Sequence, residues 1–263
     1  ALGARHTVDG AMVLRAGIAG YQVMWLTAQL LGSTHARQWH LTATAGTVGA
    51  AAAATVVRGD DEERTLRALS FAMLTLGGLG QAPLERRGSA RYTRASAAAQ
   101  GILAAMTATT ATPAPLLPWS GPRGVQTVMM AEHELGEMPG DPWAALGLRL
   151  YPVNGFLQSA VCATADLSRE FGPSGAALRV ELPAAVITMV DDASAGSWWD
   201  GRLSIARAFA GQSPFVTNGV EPMPTVELVA ADLPVGSSRV HAAGSGWSAE
   251  REAPRWLMTD EAA

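Results

Sequence analysis

Apolar positions in the first two-fifths of the chain recur at helical spacing. Met12, Leu14, Ile18, Val23, Leu26 and Leu30 lie downstream of Thr7 and Asp9. Either polar residue can cap a helix running to about Leu31, where Gly32-Ser33 stops it. Thr42–Val57 carries small residues throughout. Such a helix can pack backbone to backbone against its neighbours. Asp60 with Glu63 resembles a capping box, and Leu66, Leu69, Met73 and Leu76 then share one helical face. Gly77, Gly78 and Gly80 end that helix, and an Ala-rich one spans Ser89 to Ala108. A Pro-containing loop, Thr109 to Gly121, leads to a short helix and an acidic stretch, Glu132 to Asp141.

The pattern changes near Leu146. Gly147–Tyr151 reads as a strand and Asn154–Glu170 as a helix with Phe156, Ala160, Ala163 and Leu167 on one face. Strand-like runs follow at Leu178–Leu182 and Ala185–Val190, then a helix at Gly201–Ala210 and strands at Val226–Ala230 and Ser238–Ala242. The tail from Gly244 shows no strong pattern. Helices first and mixed elements second predict a mainly α chain with an α+β part: a helical domain over 1–145, then an α/β domain over 146–263 with an irregular C-terminal tail.

Composition narrows the function. The 263 residues are 48% hydrophobic and 16% charged, which describes a packed core rather than a disordered chain. Nineteen basic against 23 acidic side chains give −4, the wrong sign for a bulk nucleic-acid binder. Every one of the 19 is Arg; without Lys there is no Schiff base and no phosphate-loop Lys. The single cysteine, Cys162, allows no internal disulfide and no zinc site built on several cysteines. A reducing, cytoplasmic compartment is expected. Residues 1–16 lack a continuous apolar run, so no signal peptide is expected, and Leu41–Val57 is too weakly apolar to predict a membrane span.

One segment is specific: Arg37-Gln38-Trp39-His40-Leu41-Thr42-Ala43-Thr44-Ala45-Gly46-Thr47-Val48-Gly49-Ala50-Ala51-Ala52-Ala53-Ala54. It resembles the R-G-W-H-P-T-A-T-x-G-T-x-G-A-A-A-A-A signature of the MmgE/PrpD family. That family includes 2-methylcitrate dehydratase, cis-aconitate decarboxylase and iminodisuccinate epimerase. Further similarities follow in the family's order: Ala16–Tyr21, Gln100–Ala105, Trp119–Gly124, Arg149–Pro152 and Leu203–Ala208. The resemblance implies a large all-helical domain, a smaller α/β lid, a site in the cleft between them, and a homodimer. It implies no cofactor. The chain also departs from the family pattern. Arg149 stands for a Lys, Thr93 for a His, Asn154 and Gln158 for His-type positions, and Arg207 for a Tyr. The family's Asp-rich segment and H-P-[SG] loop would precede residue 1.

His40 is the candidate acid–base group, since a His can give or take a proton near pH 7 and this one precedes a helix start. Packing as a buried helix cap is the alternative. Arg149 and Tyr151 are the other candidate catalytic residues. Arg149 can bind a carboxylate or stabilise an enolate but cannot act as a base. Arg37, Trp39, Arg91, Arg123, Asn154, Gln158 and Arg207 are candidates for substrate binding; for Arg91 and Arg94 a solvated helix face is the simpler reading. His35 reads as a surface-turn residue. Glu132-His133-Glu134 with Glu137 supplies too few ligands for a metal and reads as an exposed acidic loop. Trp198-Trp199 and Cys162 read as packing residues. The expected function is cofactor-free elimination, double-bond isomerisation or cyclisation of an organic-acid or polyketide-like metabolite. The alternatives are a catalytically silent homologue serving a larger homologous subunit, or a piece of a 2-methylcitrate dehydratase-like enzyme. Small molecules, rather than nucleic acid or membrane, are the expected partners.

Overall fold

A computed structural model describes residues 8–85, 89–133, 149–151, 153–172, 176–191, 200–212, 224–234, 236–243 and 246–252. The chain divides into two compact units, Ala1–Pro142 and Trp143–Ala263. The first is helical: α1 (Gly10–Gln38), α2 (Leu41–Arg58), α3 (Glu62–Met73), α4 (Gln81–Leu84), α5 (Ser89–Thr107) and α6 (Val125–Val128). Asp9 caps α1, its carboxylate accepting from the Met12 amide. α3 is capped by Asp61 rather than Asp60, which pairs with Arg58 instead.

Helix α2 is the centre of this unit, packed against α1, α5 and α3. Its small residues let the backbones touch. A Cβ added to Gly20 would stand 3.0 Å from the Gly49 carbonyl oxygen, and one added to Gly101 would stand 2.5 Å from that of Thr47. Ala51, Ala54, Ala68, Ala72, Ala104 and Ala105 fill the spaces between these contacts, and all are buried. The stabilisation is therefore many short-range contacts over small side chains rather than a few large ones. This corrects part of the helix-face reading: Leu14 is 70% exposed and Leu66 57% exposed, because the contact stripe runs through Gly and Ala instead.

The predicted stop at Gly32 is a break rather than an end. Gly32 has φ 74°, ψ −173°, and the helix resumes to Gln38. Left-handed φ is one reason for glycine here. Space is the other: a Cβ would overlap the Glu132 side chain. The Glu132 carboxylate caps the resumed segment, accepting from the amides of Ser33 (3.0 Å) and Thr34 (2.6 Å) and from the Ser33 hydroxyl (3.1 Å). These bonds, Thr34's foremost, pull its pKa down to about 2. Glu134, Glu137, Arg86, Arg87 and Trp198-Trp199 lie outside the described residues.

The second unit joins a 3₁₀ turn (Gly155–Leu157) and α7 (Gln158–Phe171) to β1 (Leu178–Pro183), α8 (Ala184–Val190), α9 (Gly201–Phe209), β2 (Val226–Ala231), β3 (Ser237–Ala242) and β4 (Trp247–Glu252). The sheet order is β2-β1-β3-β4, with β1–β2 parallel and the other pairs antiparallel. Leu178, Val180, Leu182, Val226 and Val240 share a buried cluster with Leu157, Val161, Leu167, Ile205 and Phe209. On the other face the register sets Glu181 opposite Arg239 and Arg239 opposite Glu250. Arg239 meets both carboxylates, at 2.9 and 3.1 Å.

Three sequence expectations change here. Ala185–Val190 is helical: Pro183 occupies the N-cap position, and Val186 and Val190 turn to one buried face at four-residue spacing. The tail is not wholly irregular, because Trp247–Glu252 pairs with β3 and Trp247 stacks on Phe171 at 4.4 Å. Of the strand expected at Gly147–Tyr151, residues 149–151 are described and are not strand. Among the described residues no helix is long and apolar enough to cross a membrane.

Candidate functional site

The residues around His40 are held by a short backbone pairing between 38–40 and 78–80. The His40 amide donates to the Gly78 carbonyl at 2.8 Å, and the Gly80 amide donates to the Gln38 carbonyl at 3.0 Å. Gly78 takes φ 104°, and a Cβ there would crowd Ala43 at 2.7 Å. This pairing places His40 at the N-cap of α2, but its side chain makes no capping bond. The ring instead crosses to α5, where Nδ1 lies 2.7 Å from the Thr93 hydroxyl oxygen.

The Thr93 hydroxyl also lies 3.0 Å from the Ala90 carbonyl. With the Thr93 proton on that carbonyl, His40 Nδ1–H donates to Thr93 and Nε2 keeps its lone pair; in the other tautomer the hydroxyl donates to Nδ1. Burial lowers the His40 pKa below the ordinary value, and the positive charge of Arg94 lowers it further. Both effects favour the neutral imidazole, and Nε2 has no hydrogen-bond partner among the described residues.

His35 is a different case and corrects the surface-turn reading. It is fully buried. Nδ1 donates to the Met129 carbonyl at 2.8 Å, and Nε2 sits 3.0 Å from the Thr44 hydroxyl. The ring stacks on Trp39 at 5.9 Å. Both nitrogens are engaged, so His35 ties α1, α2 and the segment after α6 together. Burial lowers its pKa too, against the hydrogen bond to the Met129 carbonyl, which raises it.

A cavity of about 430 Å³ opens beside Thr93. Thr47, Thr75, Leu79, Glu85, Ser96 and Gln100 are among its walls. A more open groove of about 540 Å³ is lined by Arg37 and Trp39 with Thr34 and Met130. Arg37 is exposed and donates to the hydroxyls of Thr34 (3.0 Å) and Ser33 (3.4 Å) in its own turn. Arg91 and Arg123 are exposed. Arg94 is only half-exposed and acts on His40, so the solvated-face reading does not cover it.

In the second unit, Gln158 is buried and clasps the backbone of Tyr151. Its Nε2 donates to the Tyr151 carbonyl at 2.7 Å, and its Oε1 accepts from the Tyr151 amide at 3.0 Å. Asn154 accepts from the Phe156 amide at 3.1 Å and caps the 3₁₀ turn. The Arg149 guanidinium lies over Gly155, where an added Cβ would stand 3.3 Å away. Burial raises the pKa of the Tyr151 phenol, and its ring packs on the sheet core. Arg207 is 7% exposed, and its Nε has no hydrogen-bond partner among the described residues. Cys162 is half-buried, and burial raises its thiol.

A family model, the MmgE/PrpD N-terminal domain, matches residues 1–138, a little over half of the chain. The chain belongs to the MmgE/PrpD family. No curated protein matches it significantly. Membership places the chain in a dehydratase- and lyase-like family, and its helices and mixed four-stranded sheet agree with the mainly α plus α/β fold. In this MmgE/PrpD chain the signature segment holding His40 lies wholly inside the matched region.

Sequence reasoning missed four contributors to the His40 surroundings: Thr93 as its hydrogen-bond partner, Arg94 as a charge on it, and Ser96 and Gln100 as cavity walls. A signal was present. Thr93, Ser96 and Gln100 recur at helical spacing along an otherwise Ala-rich helix, a polar stripe where a core face would be apolar.

Proposed function

We propose that the protein is an acid–base enzyme of the lyase or isomerase type, with His40 carrying the proton. The His40–Thr93 pair is the observation that supports this reading. A buried imidazole held at Nδ1 by Thr93, with its neutral form favoured and no partner for Nε2 among the described residues, has the form of a general base. The substrate is a hydroxylated organic-acid or polyketide-like metabolite with an acidic C–H beside a carbonyl. Nε2 takes that proton, and the C–H electron pair becomes the enolate. Arg94 favours the developing negative charge. If the carbon–oxygen bond at the β-carbon then breaks, a C=C bond forms and the leaving hydroxyl takes the proton from Nε2 to depart as water. Returning the proton to a different carbon moves a double bond. Attack of the enolate carbon on an internal electrophile closes a ring. One His serves all three outcomes and needs no cofactor.

The test is incubation of the pure protein with a host metabolite extract, followed by mass spectrometry. Loss of water marks elimination, and an isomer of equal mass marks isomerisation or cyclisation. His40→Ala should lower turnover by ~10²–10⁴-fold. Thr93→Val should shift the acid limb of the rate profile, because Nδ1 loses its partner. Arg149→Ala in the same assay tests the anion-holding role that the resemblance implies. Unchanged turnover in His40→Ala refutes the reading.

A second reading has its own support. Asn154 and Gln158, at family site positions, direct their polar atoms at neighbouring backbone. That fits a catalytically silent homologue serving a larger homologous subunit. Co-purification of such a subunit, with no turnover by this chain alone, favours it; turnover by a homodimer of this chain counts against it.

A further inference from the structure

Helix α9 in the second unit is buried over most of its surface. Of Gly201–Phe209 only Arg202 and Leu203 are more than slightly exposed. A helix buried on nearly all sides is ordinarily apolar on all sides. This one carries a polar line instead: Asp200, Ser204 and Arg207, at i, i+4 and i+7, none more than 9% exposed. Two of the three are satisfied close by. The Asp200 carboxylate accepts from the Arg202 amide at 3.0 Å, and the Ser204 hydroxyl donates to the Asp200 carbonyl at 3.5 Å. Arg207 is the exception. Its Nε is buried with no hydrogen-bond partner, and no carboxylate among the described residues pairs with its guanidinium. Five other arginines of this unit behave in the opposite way. Arg169, Arg179, Arg202, Arg239 and Arg251 each pair with a carboxylate, although their side chains are 35% to 72% exposed. Water would satisfy those five without a partner. The most buried of the six is the one left without, and arginine keeps its charge at neutral pH. The dipole at the C-terminal end of α9 offsets part of that charge but gives Nε no acceptor.

We propose that Arg207 binds a carboxylate, and that with Ser204 it forms a site for a small monocarboxylic hydroxy acid. The assignment stands on the second unit alone and does not depend on the role of His40. A guanidinium presents Nε–H and a neighbouring Nη–H in parallel, at the spacing of two carboxylate oxygens. The ligand's carboxylate supplies the acceptor that Nε lacks and neutralises the charge that burial leaves uncompensated. Ser204 lies one turn before Arg207 on the same line. Its hydroxyl oxygen can accept from an O–H group on the body of the acid. One positive charge matches one negative charge. A dicarboxylate or a phosphate brings a second, and the next charge along this line is the Asp200 carboxylate, which repels it.

The experiment is ¹H–¹⁵N NMR of the arginine Nε–H signals of the full chain. It is titrated with 3-hydroxybutyrate, its uncharged amide, succinate and inorganic phosphate, each to ~50 mM. Arg207→Met assigns the Arg207 signal by its loss. Arg58, whose Nε donates to the Asp60 carboxylate at 3.0 Å, is the reference for a carboxylate-bonded proton. In the ligand-free chain the Arg207 proton should resonate upfield of that reference. 3-Hydroxybutyrate should move it downfield towards the reference, and the amide should leave it in place. Succinate and phosphate should bind at least tenfold more weakly. Arg207→Met should raise the urea midpoint of the ligand-free chain, because it removes an uncompensated buried charge. 3-Hydroxybutyrate should raise the midpoint of the parent and not that of Arg207→Met. Where Arg207→Met does not fold, Arg207→Lys assigns the signal and the titration of the parent decides. A ligand-free signal already at the reference position means that the chain supplies its own acceptor, and it overturns the proposal. So does a signal that 3-hydroxybutyrate leaves in place, one that the amide moves equally, or one that succinate or phosphate moves at lower concentration.

Discussion

Replacing Gly101 by Ala sets two opposed effects against each other. Gly inside a helix is less stable than Ala by about 0.5–1 kcal/mol, so propensity alone makes Gly101→Ala stabilising. The structure reverses the sign. The new Cβ would stand 2.5 Å from the Thr47 carbonyl oxygen, 2.6 Å from Ala50 Cβ and 2.7 Å from the Ala51 nitrogen, about 0.9 Å short of ordinary contact at the nearest. Two of the three obstacles are backbone atoms, which no rotamer change can move. Relief requires α5 to move off α2, loosening the buried contacts of Ala51, Ala54, Ala104 and Ala105. Overpacking of this kind costs about 1–3 kcal/mol, and rigid obstacles put it at the upper end. The net expectation is a loss of about 2 kcal/mol. Gly46, also inside α2, has nothing within 4 Å of its added Cβ. There the propensity effect stands alone, and Gly46→Ala should gain about 0.5–1 kcal/mol. Urea unfolding followed by far-UV circular dichroism measures both as shifts of the midpoint at constant slope. Equal stabilisation by the two substitutions would refute backbone contact between α2 and α5.

Three further outcomes follow from the same geometry. Gln158→Leu leaves the amide and carbonyl of Tyr151 without their partners and should cost about 2 kcal/mol or more in urea unfolding. His35 and His40 both have pKa values below the ordinary 6.5 in the folded chain, so the unfolded chain binds more protons as pH drops through 6.5. Stability should therefore fall as pH falls below about 6.5, and a double His35→Gln, His40→Gln variant should show a flatter midpoint-against-pH curve. Glu132 has the opposite origin and the same sign. Its stabilisation is present above about 4.5, its ordinary value, and is lost as pH falls towards about 2; in Glu132→Gln an acid titration by circular dichroism should lack that component.

Much of the fold was legible because it rests on local rules. Asp9 caps α1, as its place before the apolar repeat predicts. The small-residue run of α2 announces close helix packing. β1 alternates buried Leu178, Val180 and Leu182 with Arg179 and Glu181. The errors fell where distant residues decide. Ala185–Val190 is apolar enough for either a strand or a helix, and its placement between Pro183 and the β1–β2 crossover settled the matter. His35 lies in a polar sequence neighbourhood, yet Met129 and Thr44 bury it from two sides.

The site divides in the same way. His40 and its flanking signature could be read from residue types alone, because an unusual order of Arg, Trp, His, Thr and Gly is information carried by the chain itself. That His40 leans on Thr93, 53 residues away, is decided only when α2 and α5 lie side by side. So is the reach of His35 Nδ1 to the Met129 carbonyl, 94 residues away. A sequence states which groups can donate or accept. Which of them are already satisfied, and which face a ligand, depends on neighbours that only tertiary packing brings within 3 Å.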